Sequence, residues 1–86
     1  MAEQKVGVVS HYFTHLQVAA VKLTDGPLKV GDTIHIRGHT SDWVQTVDSI
    51  QIEHDTMQEA KVGDDVGIKV TGHAREHDEV FVVTED

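Results

Sequence analysis

The chain contains no cysteine. Without thiols, neither a disulfide framework nor a thiolate zinc site can form, so the fold must depend on its apolar core, as suits a reducing cytoplasm. Long apolar runs are also absent, and none approaches the roughly 18 residues of a membrane span. Residues 1–5 lack the apolar stretch of a signal peptide. We therefore expect a cytoplasmic protein with no membrane partner.

Basic side chains are scarce. The sequence has 7 Lys and Arg against 15 Asp and Glu, which gives a formal net charge of -8. Nucleic-acid binding draws much of its affinity from cations that displace counterions, so general nucleic-acid binding is disfavoured. Because Arg37 and Arg75 are the only arginines, a long RNA track is not expected, although a local basic or hydrogen-bonding patch could hold one RNA feature. The acidity also fits a basic protein partner.

Internal boundaries are missing as well. No linker, low-complexity tract or charge block divides residues 1–86, so the chain is expected to form one small domain. A domain of this size has no second lobe with which to form a cleft. Any binding site should therefore be shallow.

The chain does contain an internal repeat. Residues 29–36 (KVGDTIHI) recur as residues 61–68 (KVGDDVGI), and a degenerate third copy spans residues 77–82, with His77 at the glycine position. Glycine supplies the positive φ that a turn can require, and aspartate can hydrogen-bond to a backbone group two residues on. Each copy is therefore predicted to be a turn followed by a strand. The residues assigned to structural turns are Gly31, Asp32, Gly63 and Asp64.

Alternating apolar residues predict strands rather than helices. The predicted strands cover residues 6–12, 18–23, 33–37, 43–54, 65–70 and 79–83. Within residues 43–54 a regular alternation would put Ile50 on the core side and Val47 on the outer side. A bulge near Asp48 would let Val47 and Ile50 both face the core. Residues 55–60 are expected to form a connection, with one helical turn at most over residues 57–61. Six or seven strands with short turns predict an all-β fold.

Seven histidines are the compositional oddity. Three pairs are spaced four apart in the sequence: His11 and His15, His35 and His39, His73 and His77. Strand residues at that spacing are about 13 Å apart, too far to share one ion, so no metal site is expected. His35 and His54 are instead expected to be solvated strand residues, and a cluster of histidines could make the surface pH-sensitive.

Catalytic signals are weak. No serine or other nucleophile lies at a recognisable spacing from a base, so neither an enzyme nor a bound cofactor is expected. Gly67 inside an apolar strand marks either a bulge or a close approach by another group, with packing the favoured interpretation. Trp43 beside a polar hairpin is either an anchor for a partner or half-buried core filler.

Three motifs in order resemble the second domain of translational GTPases such as elongation factor Tu. They are residues 26–36 (GPLKVGDTIHI), 47–51 (VDSIQ) and 60–70 (AKVGDDVGIKV). The similarity covers about residues 6–83 and implies a small closed antiparallel β-barrel of six to seven strands. The opening VGVVSHYF looks like that of small stand-alone proteins labelled translation-elongation-factor-like, and a similar barrel is appended to some collagenase-like peptidases.

The resemblance implies a non-catalytic binding module. The chain has no phosphate loop or switch region, so it is not expected to bind GTP alone. In family members that carry aminoacyl-tRNA, a Glu and an Arg hold the terminal adenosine, whereas Gln51 and His54 occupy these positions here. Gln51 can still hydrogen-bond to a base edge or ribose, and His54 can stack or donate. The candidate binding residues are therefore Gln51, His54 and Gly67.

The predicted function is the binding of a translation component in the cytoplasm, namely tRNA, the ribosome or a translation-associated protein. Two alternatives remain open. An apolar outer face over residues 18–21 favours a protein-protein adaptor. The likeness to appended peptidase barrels favours an accessory subunit of a separately encoded enzyme, such as a collagenase-like peptidase.

Overall fold

The computed structural model describes residues 2–84, which form ten β-strands and no helix. The strands are β1 (Ala2–Phe13), β2 (Val18–Leu23), β3 (Leu28–Lys29), β4 (Thr33–Arg37), β5 (Asp42–Thr46), β6 (Ile50–Ile52), β7 (Asp55–Met57), β8 (Glu59–Ala60), β9 (Asp65–Lys69) and β10 (Glu79–Thr84). The all-β prediction is confirmed. The predicted number of six or seven strands is wrong.

All strand pairs are antiparallel. Eight strands form one sheet in the order β5-β4-β10-β1-β2-β9-β6-β7, and β3 pairs with β8 in a separate ribbon. In the described part of the chain, this backbone ladder has two ends, β5 and β7. The observed pairing is therefore that of an antiparallel sheet with a small ribbon, and the backbone ladder itself does not form a ring.

Two of the unexpected strands, β7 and β8, lie where the sequence predicted a connection. β7 pairs with β6 as a hairpin, and β8 pairs with β3. The helical turn expected over residues 57–61 does not form, because the Val30 N–H donates to the Gln58 carbonyl at 2.9 Å and the ribbon keeps the chain extended. Strands of two or three mostly polar residues carry too little alternation to be detected in a sequence.

One face of the sheet carries the apolar core. Ala19, Val21 and Leu23 of β2 are inaccessible to solvent, as their alternation predicted. The other buried apolar residues are Val6, Val9, Leu28, Ile34, Ile36, Val47, Ile50, Ala60, Val66, Ile68, Val70, Ala74 and Val80. A register slip of one residue would turn a strand's apolar positions to solvent, so this core fixes the strand register.

Residues 43–54 do not form one bent strand. β5 ends before Val47 and β6 begins at Ile50, and both residues are buried. The prediction that both face the core is confirmed, but the chain leaves the ladder instead of bulging, because the Val47 N–H donates to the Asp32 carbonyl at 2.8 Å. The register shifts of the sheet lie in β1.

The three repeats form three copies of one turn. Gly31, Gly63 and His77 have φ values of 97°, 99° and 76°. Each is the third residue of a four-residue turn, in which the N–H of the last residue donates to the carbonyl of the first at 3.0 to 3.1 Å. A positive φ at this position is the signature of a type II turn. The degenerate third copy is therefore structurally equivalent to the other two.

The aspartate that ends each turn bonds backward along the chain. The Asp32 carboxylate accepts from the Lys29 N–H at 3.0 Å, and the equivalent bonds of Asp64 and Asp78 are 3.0 and 2.9 Å. The sequence predicted a partner two residues on, which is wrong. The reversal of the chain brings the first N–H of the turn within reach of the carboxylate, so the partner lies three residues earlier.

Each turn also holds one buried residue of another segment by a pair of backbone hydrogen bonds. The Gly31 N–H donates to the Val47 carbonyl at 2.9 Å, and the Val47 N–H donates back to Asp32. The second turn holds Leu23 and the third holds Val9 in the same way, at 2.8 to 3.0 Å. The turns thus connect the sequence repeat directly to the core.

Gln45 links β5 to the segment that follows β9. Its Nε2 donates to the Lys69 carbonyl at 2.9 Å, and its Oε1 accepts from the Trp43 Nε1–H and the Thr71 N–H, each at 2.9 Å. One side-chain amide therefore stands in for backbone pairing between these segments. Trp43 is half-buried and packs against Gly72, where a Cβ would come within 3.0 Å of the indole, so its contacts fit the core-filler interpretation.

We expect Gly63→Val to lower the free energy of unfolding by about 1–3 kcal/mol, because valine disfavours a positive φ. No atom lies within 4 Å of the Cβ position at Gly63, so the loss would come from the backbone and not from crowding. Chemical denaturation measures the effect, with Val62→Ala at the exposed neighbouring position as the control. An unchanged denaturation midpoint for Gly63→Val would contradict the role of the turn.

Gln45→Leu should destabilise the fold by about 1–3 kcal/mol, because it leaves the Trp43 indole N–H and the Thr71 N–H without their acceptor. The matched control is Gln58→Leu, at an exposed glutamine. Thermal unfolding followed by tryptophan fluorescence compares the two variants. Equal melting temperatures would show that the Gln45 amide does not hold β5 in place.

Candidate binding surface

The sheet register sets one row of residues across five strands. Cross-strand partners point to the same side of a sheet. The partner pairs are His11 with Ala20, Ala20 with Gly67, Gly67 with Gln51, and Gln51 with Thr56. The row lies opposite the core because the flanking residues of β2 are buried. The surface is depressed at the centre of this row, because Ala20 has only a methyl group and Gly67 has no side chain.

A shallow depression of about 250 Å³ lies over this row. Its lining residues are Leu16, Val18, Ser49, Gln51, Gly67 and Lys69. Two of the three candidate binding residues, Gln51 and Gly67, therefore lie together. The other four were not predicted as binding residues, although the alternation in β2 indicates that Val18 faces outward.

Gly67 keeps the depression open. It pairs with Ala20 and Gln51 in regular ladders, so the bulge interpretation is wrong. A Cβ at this position would lie 3.4 Å from Val18 Cγ1 and 4.0 Å from the Gln51 carbonyl oxygen, which are ordinary contacts. Packing therefore does not require glycine here. Any larger side chain would project from the outer face and fill the depression.

His54 does not line the depression. Together with Glu53 it forms the two-residue turn of the β6–β7 hairpin, with φ values of 71° and 49°. Two consecutive positive φ values are those of a type I′ turn, for which Asn-Gly is the usual sequence. His54 is exposed, as predicted, but it lies in a turn and not in a strand, because Glu53-His54 is not a sequence that indicates a hairpin.

An apolar edge borders the depression and consists of Phe13, Leu16 and Val18. Phe13 and Leu16 are 43% and 64% exposed. Phe13 is the cross-strand partner of the half-buried Val18. Because Leu16 and Val18 also line the depression, the apolar edge and the candidate binding residues share one surface.

The apolar outer face predicted over residues 18–21 is smaller than expected. Ala19 and Val21 belong to the buried core. Only Val18 and Ala20 of this segment face outward, since side chains alternate between the two faces of a strand. The large exposed apolar residues beside this segment are Phe13 and Leu16, which lie outside the range that the sequence indicated.

His35 is held between two carboxylates. Its Nδ1 lies 2.8 Å from Glu3 Oε2, and its Nε2 contacts Asp42 Oδ1. The side chain is 14% exposed, so the prediction of a solvated residue is wrong. The hydrogen bonds to Asp42 and then Glu3 raise the pKa of His35. The sequence could not show this, because Glu3 reaches the site only through the pairing of distant strands.

The described residues offer no evident cation site. Within residues 2–84, no three His, Asp or Glu side chains come close enough together to hold a metal ion. The carboxylates of Asp32, Asp64 and Asp78 each accept from a backbone N–H of their own turn. In the same part of the chain, no helix is long and apolar enough to cross a membrane.

The fold and the surface define a small all-β domain whose candidate binding residues lie on an outer sheet face and not in a deep pocket. The family model of elongation factor Tu domain 2 matches residues 17–83. The chain therefore belongs to the elongation factor Tu domain 2 family, as its three motifs indicated.

Curated relatives of the chain are named as peptidases. An uncharacterized protease of Methanocaldococcus jannaschii is 38% identical over 82 residues, which is 94% of this chain and 20% of the relative. A collagenase of Porphyromonas gingivalis is 34% identical over 77 residues, which is 88% of this chain and 21% of the relative. The chain thus spans about a fifth of the length of these relatives.

Solved structures share the fold. The C-terminal domain of a candidate U32 peptidase from Geobacillus thermoleovorans has a TM-score of 0.85 at 18% identity, covering 92% of this chain and 91% of that one. GDP-bound aIF5B from Aeropyrum pernix has a TM-score of 0.69 at 16% identity, covering 95% of this chain and 15% of that one. The same architecture therefore occurs in a peptidase-type protein and in a translational GTPase.

We expect His35 to stabilise the fold more in mildly acidic than in alkaline solution. Because its pKa is raised in the folded state, its contribution is fully present below the unfolded value of 6.5 and is lost as the pH rises through the folded value. Unfolding free energies of the unmodified protein and His35→Gln, measured at about pH 5.5 and 8.5, should differ more at the lower pH. His15→Gln is the control, and a difference that is equal at both pH values would contradict the expectation.

Proposed function

We propose that the chain is a non-catalytic binding domain of a U32-type peptidase system, acting in the cytoplasm beside a catalytic part that another chain or another region of the protein supplies. The observation that carries the proposal is the match to the C-terminal domain of a candidate U32 peptidase, which covers 92% of this chain and 91% of that domain. The curated relatives named protease and collagenase contain a similar segment as about a fifth of their length.

The apolar edge is the proposed contact with the catalytic part. Neighbouring large apolar side chains on a surface mark interaction sites, and Phe13 and Leu16 are the most exposed members of this edge. Gln51 and Lys69 of the adjoining depression add hydrogen-bonding groups beside it, as is usual at the rim of an interface. The net charge of -8 favours a partner surface that is basic around its apolar centre.

The polar groups of the chain support binding more than catalysis. Both ring nitrogens of His35 face carboxylates, which leaves neither nitrogen to take a proton from a substrate. The turn carboxylates are engaged by their own backbone. A surface of this kind positions another molecule, and we assign the chemistry to the catalytic part.

Family membership and the depression favour a second candidate, the binding of tRNA, the ribosome or a translation-associated protein. The exposed Gln51 amide lies beside Gly67 and an apolar wall formed by Leu16 and Val18. An amide next to an apolar wall suits the edge and face of a nucleobase. In this candidate, His54 would act from the adjacent hairpin.

We also propose that the sheet closes into a barrel through Gln45, with side-chain bonds where the backbone ladder is open. The bonds from Gln45 to Lys69 and Thr71 support closure, because they join β5 to the segment after β9. Closure would remove an exposed edge and make the outer face a rigid platform.

The test of the peptidase proposal is calorimetric titration of the chain with the U32-type catalytic chain of its source organism. A Leu16→Asp/Val18→Asp double variant should weaken binding by at least about 10-fold, because it puts charge into the apolar centre of the contact. Val44→Asp is the matched control, since Val44 is 57% exposed on β5. Melting temperatures of the variants should stay within a few degrees of each other.

Unchanged affinity for the double variant would remove the apolar edge from the proposal. Affinity recovery from lysate with and without ribonuclease tests the second candidate. Recovery of ribosomal proteins or tRNA-associated factors that is lost with ribonuclease and with Gln51→Ala would support the translation candidate. Ribonuclease-resistant recovery of the catalytic chain alone would support the peptidase candidate.

A further inference from the structure

β5 is the last strand at one end of the ladder, and side chains attach it to its surroundings in two places. Near its end, Gln45 bonds to the Lys69 carbonyl and the Thr71 N–H. At its start, Asp42 contacts Nε2 of His35, which lies on β4. The amide of Gln45 does not titrate, whereas the imidazole of His35 does. The attachment at the start of β5 is therefore sensitive to pH.

The imidazole of His35 joins strands that are not neighbours. Its Nδ1 lies 2.8 Å from Glu3 Oε2, and Glu3 belongs to β1. In the ladder, β10 separates β1 from β4, and β5 lies on the other side of β4. One ring therefore connects side chains across four strands on the outer face of the sheet.

Two cations lie on the same face as the ring. Lys5 of β1 is paired with Glu79 of β10 at 3.2 Å, so their charges cancel. Arg37 of β4 lies 3.9 Å from Glu3. Within residues 2–84, no ion pair joins Arg37 to Asp42, although the two are cross-strand partners. Asp42 therefore depends on the imidazole for a charged partner.

The charges around His35 balance only when its imidazole is protonated. Glu3 and Asp42 contribute two negative charges, and Arg37 contributes one positive charge. The imidazolium supplies the second positive charge. Deprotonation leaves the group with a net negative charge and with both carboxylates facing a neutral ring.

A neutral imidazole cannot bond to both carboxylates. It carries one N–H, and the lone pair of its other nitrogen then faces an ionised carboxylate, which can only accept. The imidazolium donates from both nitrogens. The hydrogen bonds with Asp42 and then Glu3 raise the pKa of His35 from its ordinary value of 6.5, so one of the two contacts is lost as the pH rises through the raised value.

Asp42 is the carboxylate that is more easily released. Its side chain is 75% exposed, against 31% for Glu3, so water hydrates it readily once the bond breaks. Glu3 is also attracted to Arg37. A neutral ring that stays bonded to Glu3 carries its proton on Nδ1, because the hydrogen bond fixes the tautomer.

We propose that His35 is a pH-dependent latch on the start of β5. The imidazolium holds Asp42, and the neutral ring, bonded to Glu3 through its Nδ1–H, releases it. After release, the start of β5 is attached through its backbone pairing with β4, and the strand opens more often from this end. The latch thus controls how often the last strand of the ladder leaves the sheet. This inference does not depend on the proposed peptidase function.

The test is amide hydrogen exchange of the full chain, measured by NMR at about pH 5.5 and 8.5 and corrected for the intrinsic exchange rate. Protection of residues 43–46 should be about 3- to 10-fold lower at the higher pH, the effect of losing a charged hydrogen bond at a partly exposed site. Protection of residues 18–23 in β2 should change much less. Equal protection of β5 at both pH values, or an equal change in β2, would overturn the proposal.

Trp43 gives a second readout, because it follows Asp42 directly and is the only tryptophan of the chain. Its side chain is half-buried, so opening of β5 exposes it. Acrylamide should therefore quench its fluorescence more strongly at the higher pH. Equal quenching at both pH values would contradict the opening of β5.

The nitrogen chemical shifts of the His35 ring identify which bond survives deprotonation. We expect the neutral ring to carry its proton on Nδ1, where Glu3 accepts it. A proton on Nε2 would mean that the ring keeps Asp42, and the proposal would then be wrong.

Asp42→Asn should abolish the pH difference in β5. An asparagine amide can accept from a protonated Nε2 or donate to an unprotonated one, so the contact persists in both states of the ring. Asp55→Asn, at the exposed first residue of β7, is the matched control and should keep the pH difference. A difference that persists in Asp42→Asn, or that disappears equally in Asp55→Asn, would overturn the latch.

Glu3→Gln separates the latch from a general effect of charge. A glutamine amide can donate to Nδ1, so the neutral ring would keep its proton on Nε2 and stay bonded to Asp42. The pH difference in β5 should therefore also disappear in this variant, but with the opposite tautomer of His35. An Nδ1–H tautomer in Glu3→Gln would contradict the competition between the two carboxylates.

Discussion

The fold depends on one hydrogen bond made three times, from an aspartate carboxylate to the first backbone N–H of its own turn. This bond holds the turn in the conformation that needs a positive φ at its third residue. Each turn then forms two backbone hydrogen bonds, one as donor and one as acceptor, with a buried residue of another segment. These buried residues are Val47, Leu23 and Val9 for the first, second and third turns. Local turn chemistry and the apolar core are thus coupled at three places, which explains how 86 residues without a disulfide specify one register.

Because the turns and the apolar core determine the fold, the residues on the outer face of the sheet can be binding groups without affecting the core. Ala20 and Gly67 face outward from β2 and β9, away from the core. A Cβ at Gly67 would make only ordinary van der Waals contacts, so core packing does not require glycine there. Small residues at such positions create a depression that backbone geometry alone would not give. Leu16 lies in the turn between β1 and β2 and not in a strand. The depression is therefore formed by strand residues with one loop residue at its edge.

The sequence predicted the parts that depend on short-range pattern. Alternation identified the inward residues of β2 and β9, and the repeat identified all three turns, including the copy in which His77 replaces glycine. It failed where partners are distant. The contact of His35 with Glu3 requires the pairing of β1, β10 and β4, and no local pattern shows it. Of the candidate site, Gln51 and Gly67 were brought together by their register, whereas His54 was misassigned because its turn lacks the usual Asn-Gly signal.

The contacts of the third turn explain why His77 can occupy a position with positive φ. Asp78 is buried, and its Oδ1 occupies the space that a Cβ on Gly38 would need, so this turn is packed directly against the loop that follows β4. The Val9 backbone bonds fix the same turn from the other side. With the backbone determined by these contacts, the residue at the third position can change from glycine to histidine without altering the path of the chain. The side chain at the third position is therefore carried on a backbone that contacts from two other segments hold in place.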